Sequence, residues 1–199
     1  MKKLKALVIA PQPFYTPRGT PFSVYYRTLI TAELGTEIDL LTYGEGQNIE
    51  IPGVNIIRIP DFSWYRNVKI GPSIFKLFLD IFITIWTVVL LLRNRYDFVH
   101  AHEEAIFVCA LLKPVFKYRL IYDMHSSLPE QLTNFNFTTS KWIINGFKWM
   151  EDACLHRSDA TITICPSLYN YAMTIVGEKE RVFLIENSIF DEVKLATAK

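Results

Sequence analysis

Three short stretches of this 199-residue chain carry side chains able to move protons or hold charge. His100 and His102 flank Ala101 at the end of an apolar run that leads into Glu103. Asp123 and His125 close a second apolar run, which leads into Ser126 and Ser127. Arg18, Gly19 and Thr20 precede Pro21 at the start of a helix-length segment. An imidazole exchanges protons near neutral pH, and a carboxylate beside it fixes the ring and stabilises its protonated form. In an open parallel sheet, ligands bind in the crevice at the carboxyl ends of the strands. Three strand ends that stop in polar residues therefore point to one site assembled from several loops.

The pattern separates the candidates. His100 and His102 alternate with apolar neighbours, which puts both rings on one face of a strand. His100 lies deeper and is expected to be a hydrogen-bonded core residue, whereas His102 and His125 lie nearer the tips. Asp123 shares the face of His125 and either orients that ring or serves as a strand-terminal structural acid. A metal cluster can be drawn from these histidines with Glu103 and Asp123. No helical ligand pair or close Cys/His spacing supports it, so no metal is expected. Ser126 and Ser127 neighbour His125, but no G-x-S-x-G elbow is present to make a nucleophile.

At the first loop, free N–H groups of a helix N-terminus form an anion site, with Gly19 permitting close approach and Arg18 adding charge. A tight turn into a helix fits the same residues. The loop is neither G-x-G-x-x-G nor G-x-x-x-x-G-K, which argues against NAD and ATP. The aromatic helix carrying Trp142 and Trp149 is expected to be core, and Glu151 and Asp152 to lie on its solvated face.

Positioning these side chains requires a sheet. Apolar runs over 5–10, 37–43, 55–60, 98–102, 119–125, 160–165 and 182–186 predict strands. Several are near-continuous in Val, Ile, Leu and Phe, as in parallel strands covered on both faces. Segments 21–34, 73–94, 104–117, 140–157 and 167–176 predict helices between them. Thr20 offers a capping hydroxyl, Pro21 suits a first turn and Gly35 a stop. The polar stretch 44–53 predicts a loop or a hairpin. The fold class is α/β: a Rossmann-like, doubly wound, mostly parallel sheet flanked by helices. Residues 1–187 form this domain, and 188–199 begin a linker or tail.

Composition excludes other classes. Hydrophobic residues at 50% and aromatics at 14% supply a core, and a net charge of +1 gives no field for nucleic acid. Cys109, Cys154 and Cys165 are too few and too scattered for a disulfide framework or a zinc site, which points to a reducing, cytoplasmic setting. The sequon at Asn136 is read as chance. The apolar run 6–10 is too short for a signal peptide and breaks at Pro11. The uncharged stretch 81–92 is shorter than the ~20 apolar residues of a membrane span. Segment 74–92 is therefore expected to be a buried crossover helix, with a helix dipping into the membrane surface as the alternative.

Taken in order, five segments resemble the N-terminal domain of retaining glycosyltransferases of family 4, one half of the two-domain GT-B fold. They are residues 5–10 followed by Pro17-Arg18-Gly19-Thr20-Pro21; Tyr96-Asp97-Phe98-Val99-His100-Ala101-His102-Glu103; Tyr122-Asp123-Met124-His125-Ser126-Ser127; residues 160–167; and residues 182–187. The similarity spans nearly the whole chain and rests on the order and spacing of the segments. It implies sugar transfer from a nucleotide-sugar donor to a glycan or lipid-linked acceptor, with retention, in cell-surface polysaccharide synthesis. By the resemblance, Gly19 with Arg18 and Thr20 approaches the donor diphosphate, and His125 lies at the transferred sugar as the catalytic residue. His102, Glu103, Asp123, Ser126 and Ser127 form the acceptor-side cleft wall. No cofactor or metal is implied. Contact with the inner face of the membrane through 74–92 or 62–66 is. The family's second domain carries most donor contacts and a paired-glutamate motif, and none of it lies within these residues. The chain alone is thus expected to lack turnover. A non-catalytic binding or partner domain is the other expectation.

Overall fold

The computed structural model describes residues 3–15, 19–47, 49–61, 73–134, 138 and 140–186. The seven apolar runs become β1 (Lys5–Ala10), β2 (Glu37–Thr42), β3 (Val54–Arg58), β4 (Phe98–His102), β5 (Arg119–Met124), β6 (Ala160–Thr163) and β7 (Val182–Leu184). They form one sheet in the order β3-β2-β1-β4-β5-β6-β7, with every neighbouring pair parallel. The helices are α1 (Gly19–Glu33), α2 (Ile74–Arg93), α3 (Ala105–Phe116), α4 (Leu128–Asn134), α5 (Lys141–Arg157) and α6 (Pro166–Val176). The chain builds outward from β1 to β3, then restarts with β4 on the other side of β1. The strand order thus reverses between β1 and β4, where doubly wound sheets open a crevice for ligands.

Alternation along the strands splits the core in two. Leu7, Ile9, Leu41, Val99 and Tyr122 face one side, where α2, α3, α5 and α6 bring Ile83, Ile106, Leu155 and Leu168. Ala6, Val8, Ala10 and Leu40 face the other side and pack against Val24 of α1. Strands buried on both faces read as continuous apolar runs, which is why they were recognisable.

Four expectations are corrected. β2 and β3 are parallel, so the 44–53 connection is a crossover loop and not a hairpin. Thr20 lies inside the first turn of α1, which begins at Gly19, so it is not the residue before the helix. The helix α2 buries only Leu79, Ile83, Thr87 and Leu91. Its Lys76 side chain is 13% exposed and turned inward, whereas Ile74, Leu77, Ile81 and Ile85 are exposed. The outer side of α2 is thus apolar as well as the inner one, whereas a crossover helix of a water-soluble domain carries polar residues outside. On α5, Trp142 and Trp149 stand in solvent at 85% and 72% exposure, and Glu151 is fully buried. The helix thus presents its aromatic residues where charge was expected, and the reverse.

The loop after β1 is pinned by its neighbours. Phe14 makes a parallel bridge with Gly46. Arg58 Nη1 donates to the Tyr43 and Glu45 carbonyls at 3.2 and 3.0 Å, holding the segment that contains Gly46.

Candidate functional site

The strand tips carry two different clusters, one on each side of the sheet. On the α1 side, His102 of β4 lies in register with Asp123 of β5. His100 and His102 stack with ring centroids 4.5 Å apart. His100 Nε2 lies 3.0 Å from Asp123 Oδ2, and His102 Nδ1 lies 3.4 Å from the same oxygen. His125 Nε2 sits 3.2 Å from Asp123 Oδ1 and 3.3 Å from His102 Nδ1. From α1, Arg27 Nη1 reaches Asp123 Oδ2 at 3.0 Å, while Nη2 donates to the Ile185 carbonyl just beyond β7 at 3.0 Å. One carboxylate thus gathers three imidazoles and a guanidinium from three elements.

Electrostatics sets the proton positions. Burial alone raises the pKa of Asp123. The charges of His102 and His125, with hydrogen bonds from His100 and His125, outweigh that and hold it well below the usual carboxylate range. Burial lowers His102 well below the ordinary imidazole value despite the opposing pull of Asp123. The side chains of His100, His125 and His102 are 7%, 3% and 1% exposed, so all three rings are buried. Ligand atoms of His100, His102 and Asp123 all lie within 4.8 Å of one another, a spacing that a divalent ion can use. Arg27 already brings a cation to Asp123 at that place, which works against a metal by repulsion.

On the opposite side, Glu103 turns the chain with a φ of 49°. Its carboxylate lies 3.6 Å from Lys76 Nζ, and Glu104 pairs with the same ammonium more closely. Burial lowers the pKa of Lys76, but Glu104 and Glu103 raise it above its ordinary value. Burial pushes Glu104 up to about 8 and Asp80 up to about 6, with Lys76 opposing both. Beside this cluster, a cavity of about 250 Å³ lies between α2, α3, α4 and α5 and reaches Ile9 and Pro11 at the end of β1.

The candidates are therefore distributed unevenly. His102, Asp123 and His125 come together. His100, expected in the core, joins them. Glu103 faces the lysine cluster across the sheet. Ser127 donates to Glu151 Oε2 at 2.9 Å, and the Ser126 hydroxyl accepts from the Gln131 amide. Both serines thus brace the loop between β5 and α4. Gly19 heads α1 and Thr20 follows in its first turn, while Arg18 lies outside the described residues, as do 62–66 and 187–199. Sequence reading missed Arg27, Lys76 and Glu104. Arg27 and Lys76 sit inside apolar helices, where one cation among hydrophobic residues was the available signal.

A parallel sheet with a single reversal of strand order, polar clusters at its strand tips and a helix N-terminus after the first strand defines a Rossmann-like domain. A family model described as Glycosyltransferase Family 4 matches residues 24–192, and the chain belongs to that family. Among solved structures, sucrose-phosphate synthase from Thermosynechococcus elongatus is similar, with a TM-score of 0.65 and 17% identity over 94% of this chain and 49% of that one. The catalytic domain of starch synthase IV from Arabidopsis thaliana, bound to ADP and acarbose, gives 0.63 and 12% over 96% and 53%. HepE from Anabaena, in complex with UDP-glucose, gives 0.57 and 14% over 94% and 44%. At these identities the likeness is one of fold, that of GT-B glycosyltransferases. The chain spans about half the length of each of the three. No curated protein sequence matches it.

Proposed function

We propose that the chain is the acceptor-side, N-terminal domain of a retaining glycosyltransferase that takes a sugar from a nucleotide-sugar donor to a glycan or lipid-linked acceptor. The observation that carries this reading is Asp123, buried at the strand tips beside the reversal of strand order and gathering His100, His102 and His125 around it, in a chain of glycosyltransferase family 4. The ADP of starch synthase IV and the UDP-glucose of HepE support a sugar nucleotide as donor.

In this reading the N-terminus of α1, with Gly19, Thr20 and Arg18, faces the donor diphosphate, and peptide dipoles stabilise the charge that develops on it. His125 lies against the transferred sugar, with Asp123 fixing its ring. Glu103 and His102 bound the acceptor side. The acceptor oxygen bonds to the anomeric carbon on the face from which the nucleotide diphosphate departs. Its proton passes to the donor's own phosphate, and the anomeric configuration is kept. The reaction uses no metal or cofactor. Residues 1–187 form this domain and 188–199 lead toward a second domain that completes the cleft. The enzyme works in the cytoplasm at the inner face of the membrane, on cell-surface polysaccharide, with the outward apolar side of α2 against lipid.

The test is transfer from a panel of UDP-, GDP- and dTDP-sugars by the parent protein and by the 199-residue chain, with the anomeric configuration of the product read by NMR. The expected result is retention in the parent, no turnover by the chain alone, and a kcat reduced about 100-fold or more by His125→Ala. Inversion, or full activity in His125→Ala, would falsify the mechanism, and the absence of transfer from every donor would sink the assignment.

A further inference from the structure

We propose that the cavity between α2, α3, α4 and α5 holds a single aliphatic chain, the tail of an amphiphile whose polar head lies at the tips of β4 and β5. The proposal rests on the transferase reading for what happens to the head, and on the cavity itself for the tail. Ile9, Leu77, Ile83, Val108, Leu132 and Phe147 belong to the apolar majority of the wall of this space of about 250 Å³. The exposed wall is predominantly apolar, so a sugar ring placed there leaves most of its hydroxyls without the partners that water supplies, which disfavours glycan. The ionisable side chains in the wall, Lys76, Asp80 and Glu104, gather in one cluster, while its other polar residues, Ser73, Thr84, Thr87 and Gln131, carry no charge. There, the buried Glu104 Oε2 has no hydrogen-bond partner among the described residues. Glu104 directly follows Glu103, so this cluster adjoins the strand tips.

Size and surroundings select the occupant. At about 30 Å³ for a water-sized group, the cavity takes on the order of eight methylene-sized groups, whereas a helix is about 10 Å across and does not enter. Leu77, 57% exposed, stands where the cavity meets the surface. Around it lie the exposed Ile74, Ile81 and Ile85 of α2. A chain can thus pass from an apolar surface into an apolar cavity without crossing water. The inward turn of Lys76 and Asp80 then has a purpose: it charges the end where a head group sits and leaves the outer side of α2 apolar.

The experiment is calorimetric titration of the chain with hexyl, octyl, decyl and dodecyl phosphate below their micelle concentrations, and with geranyl phosphate to separate isoprenoid from saturated tails. Affinity is expected to rise about fourfold per methylene and to level off once the tail outgrows the cavity. Val108→Phe fills the space and is expected to abolish the length dependence, with Val108→Leu and the thermal unfolding of both variants controlling for folding. Affinity independent of tail length, or undiminished decyl phosphate binding by folded Val108→Phe, overturns the proposal. If Val108→Phe does not fold, xenon titration of the unmodified chain decides: saturable shifts of the Val108 and Leu132 methyl signals support the cavity, and their absence overturns it. No probe contains a sugar nucleotide, so failure here and failure of the transferase reading are distinguishable.

Discussion

A carboxylate taken fully out of water persists only where opposite charge and hydrogen bonds surround it, and Asp123 has both. Removing its charge leaves Arg27 and the imidazoles without their common partner. Asp123→Asn is therefore expected to cost about 3–5 kcal/mol in denaturant unfolding. The pH dependence has a definite sign. The folded pKa of Asp123 lies below its ordinary 3.8, so its stabilisation is complete above that value and is lost as pH falls through the folded one. The variant lacks this acid-side loss. Glu104 behaves oppositely. Its folded pKa of about 8 exceeds the ordinary 4.5, so stability falls as pH rises between them. Glu104→Gln is expected to flatten that decline in unfolding measured from pH 5 to 9, because Lys76 keeps Glu103 as partner. The strand residues of the site were legible in the sequence because a period of two assigns them a face. Arg27 and the Lys76 cluster were not, because the direction of a helical side chain depends on how the helix docks. Glu103 likewise eludes alternation, since its positive φ ends the strand geometry.

At the scale of elements, the segment that follows β1 is held from outside itself. Gly46 adopts a φ of 134°, and a Cβ there would come within 2.2 Å of the Phe14 carbonyl oxygen. The bridge between Phe14 and Gly46 therefore requires glycine. Gly46→Ala is expected to lose about 1–3 kcal/mol of stability and to raise amide exchange at Phe14 and Gln47, whose N–H donates to the Phe14 carbonyl. Unchanged exchange at both positions would refute the pinning. Element types and most boundaries followed from apolar runs and caps, and the α4 segment was the main omission. Seven residues give too little periodicity to see. Its start is secured from a distance, by Glu151 accepting from the Leu128 N–H at 2.9 Å and from Ser127. A glutamate buried for that purpose resembles a surface glutamate in sequence.

At the scale of the whole molecule, the exposed apolar side of α2 and the exposed tryptophans of α5 add apolar surface to the domain. Over its 20 residues α2 reaches a mean hydropathy of 2.2, with 22% of that window buried. A helix of this composition, with Lys76 and Asp80 turned inward and an apolar outer side, is suited to lie along a bilayer, and tryptophans with wet and apolar ends suit the interface. Arg93, Arg95 and Lys141 are exposed near these helices and add attraction to anionic lipid. The chain is accordingly expected to float with anionic vesicles and to keep most of that binding in high salt, because apolar burial supplies the larger share. Ile81→Lys and Ile85→Lys replace side chains 57% and 47% exposed, so each is expected to change stability by no more than about 0.5 kcal/mol. Each also removes an isoleucine worth about 1.5–3 kcal/mol when fully buried, enough to lower vesicle partitioning roughly tenfold. Flotation that collapses with salt, or that survives both substitutions, would assign the attraction to the basic residues and free α2 from contact with lipid. Loss through the isoleucines alone would orient the domain with the long axis of α2 along the membrane and its strand tips, near Ser73, at the lipid surface, where an acceptor anchored by its tail presents its head group.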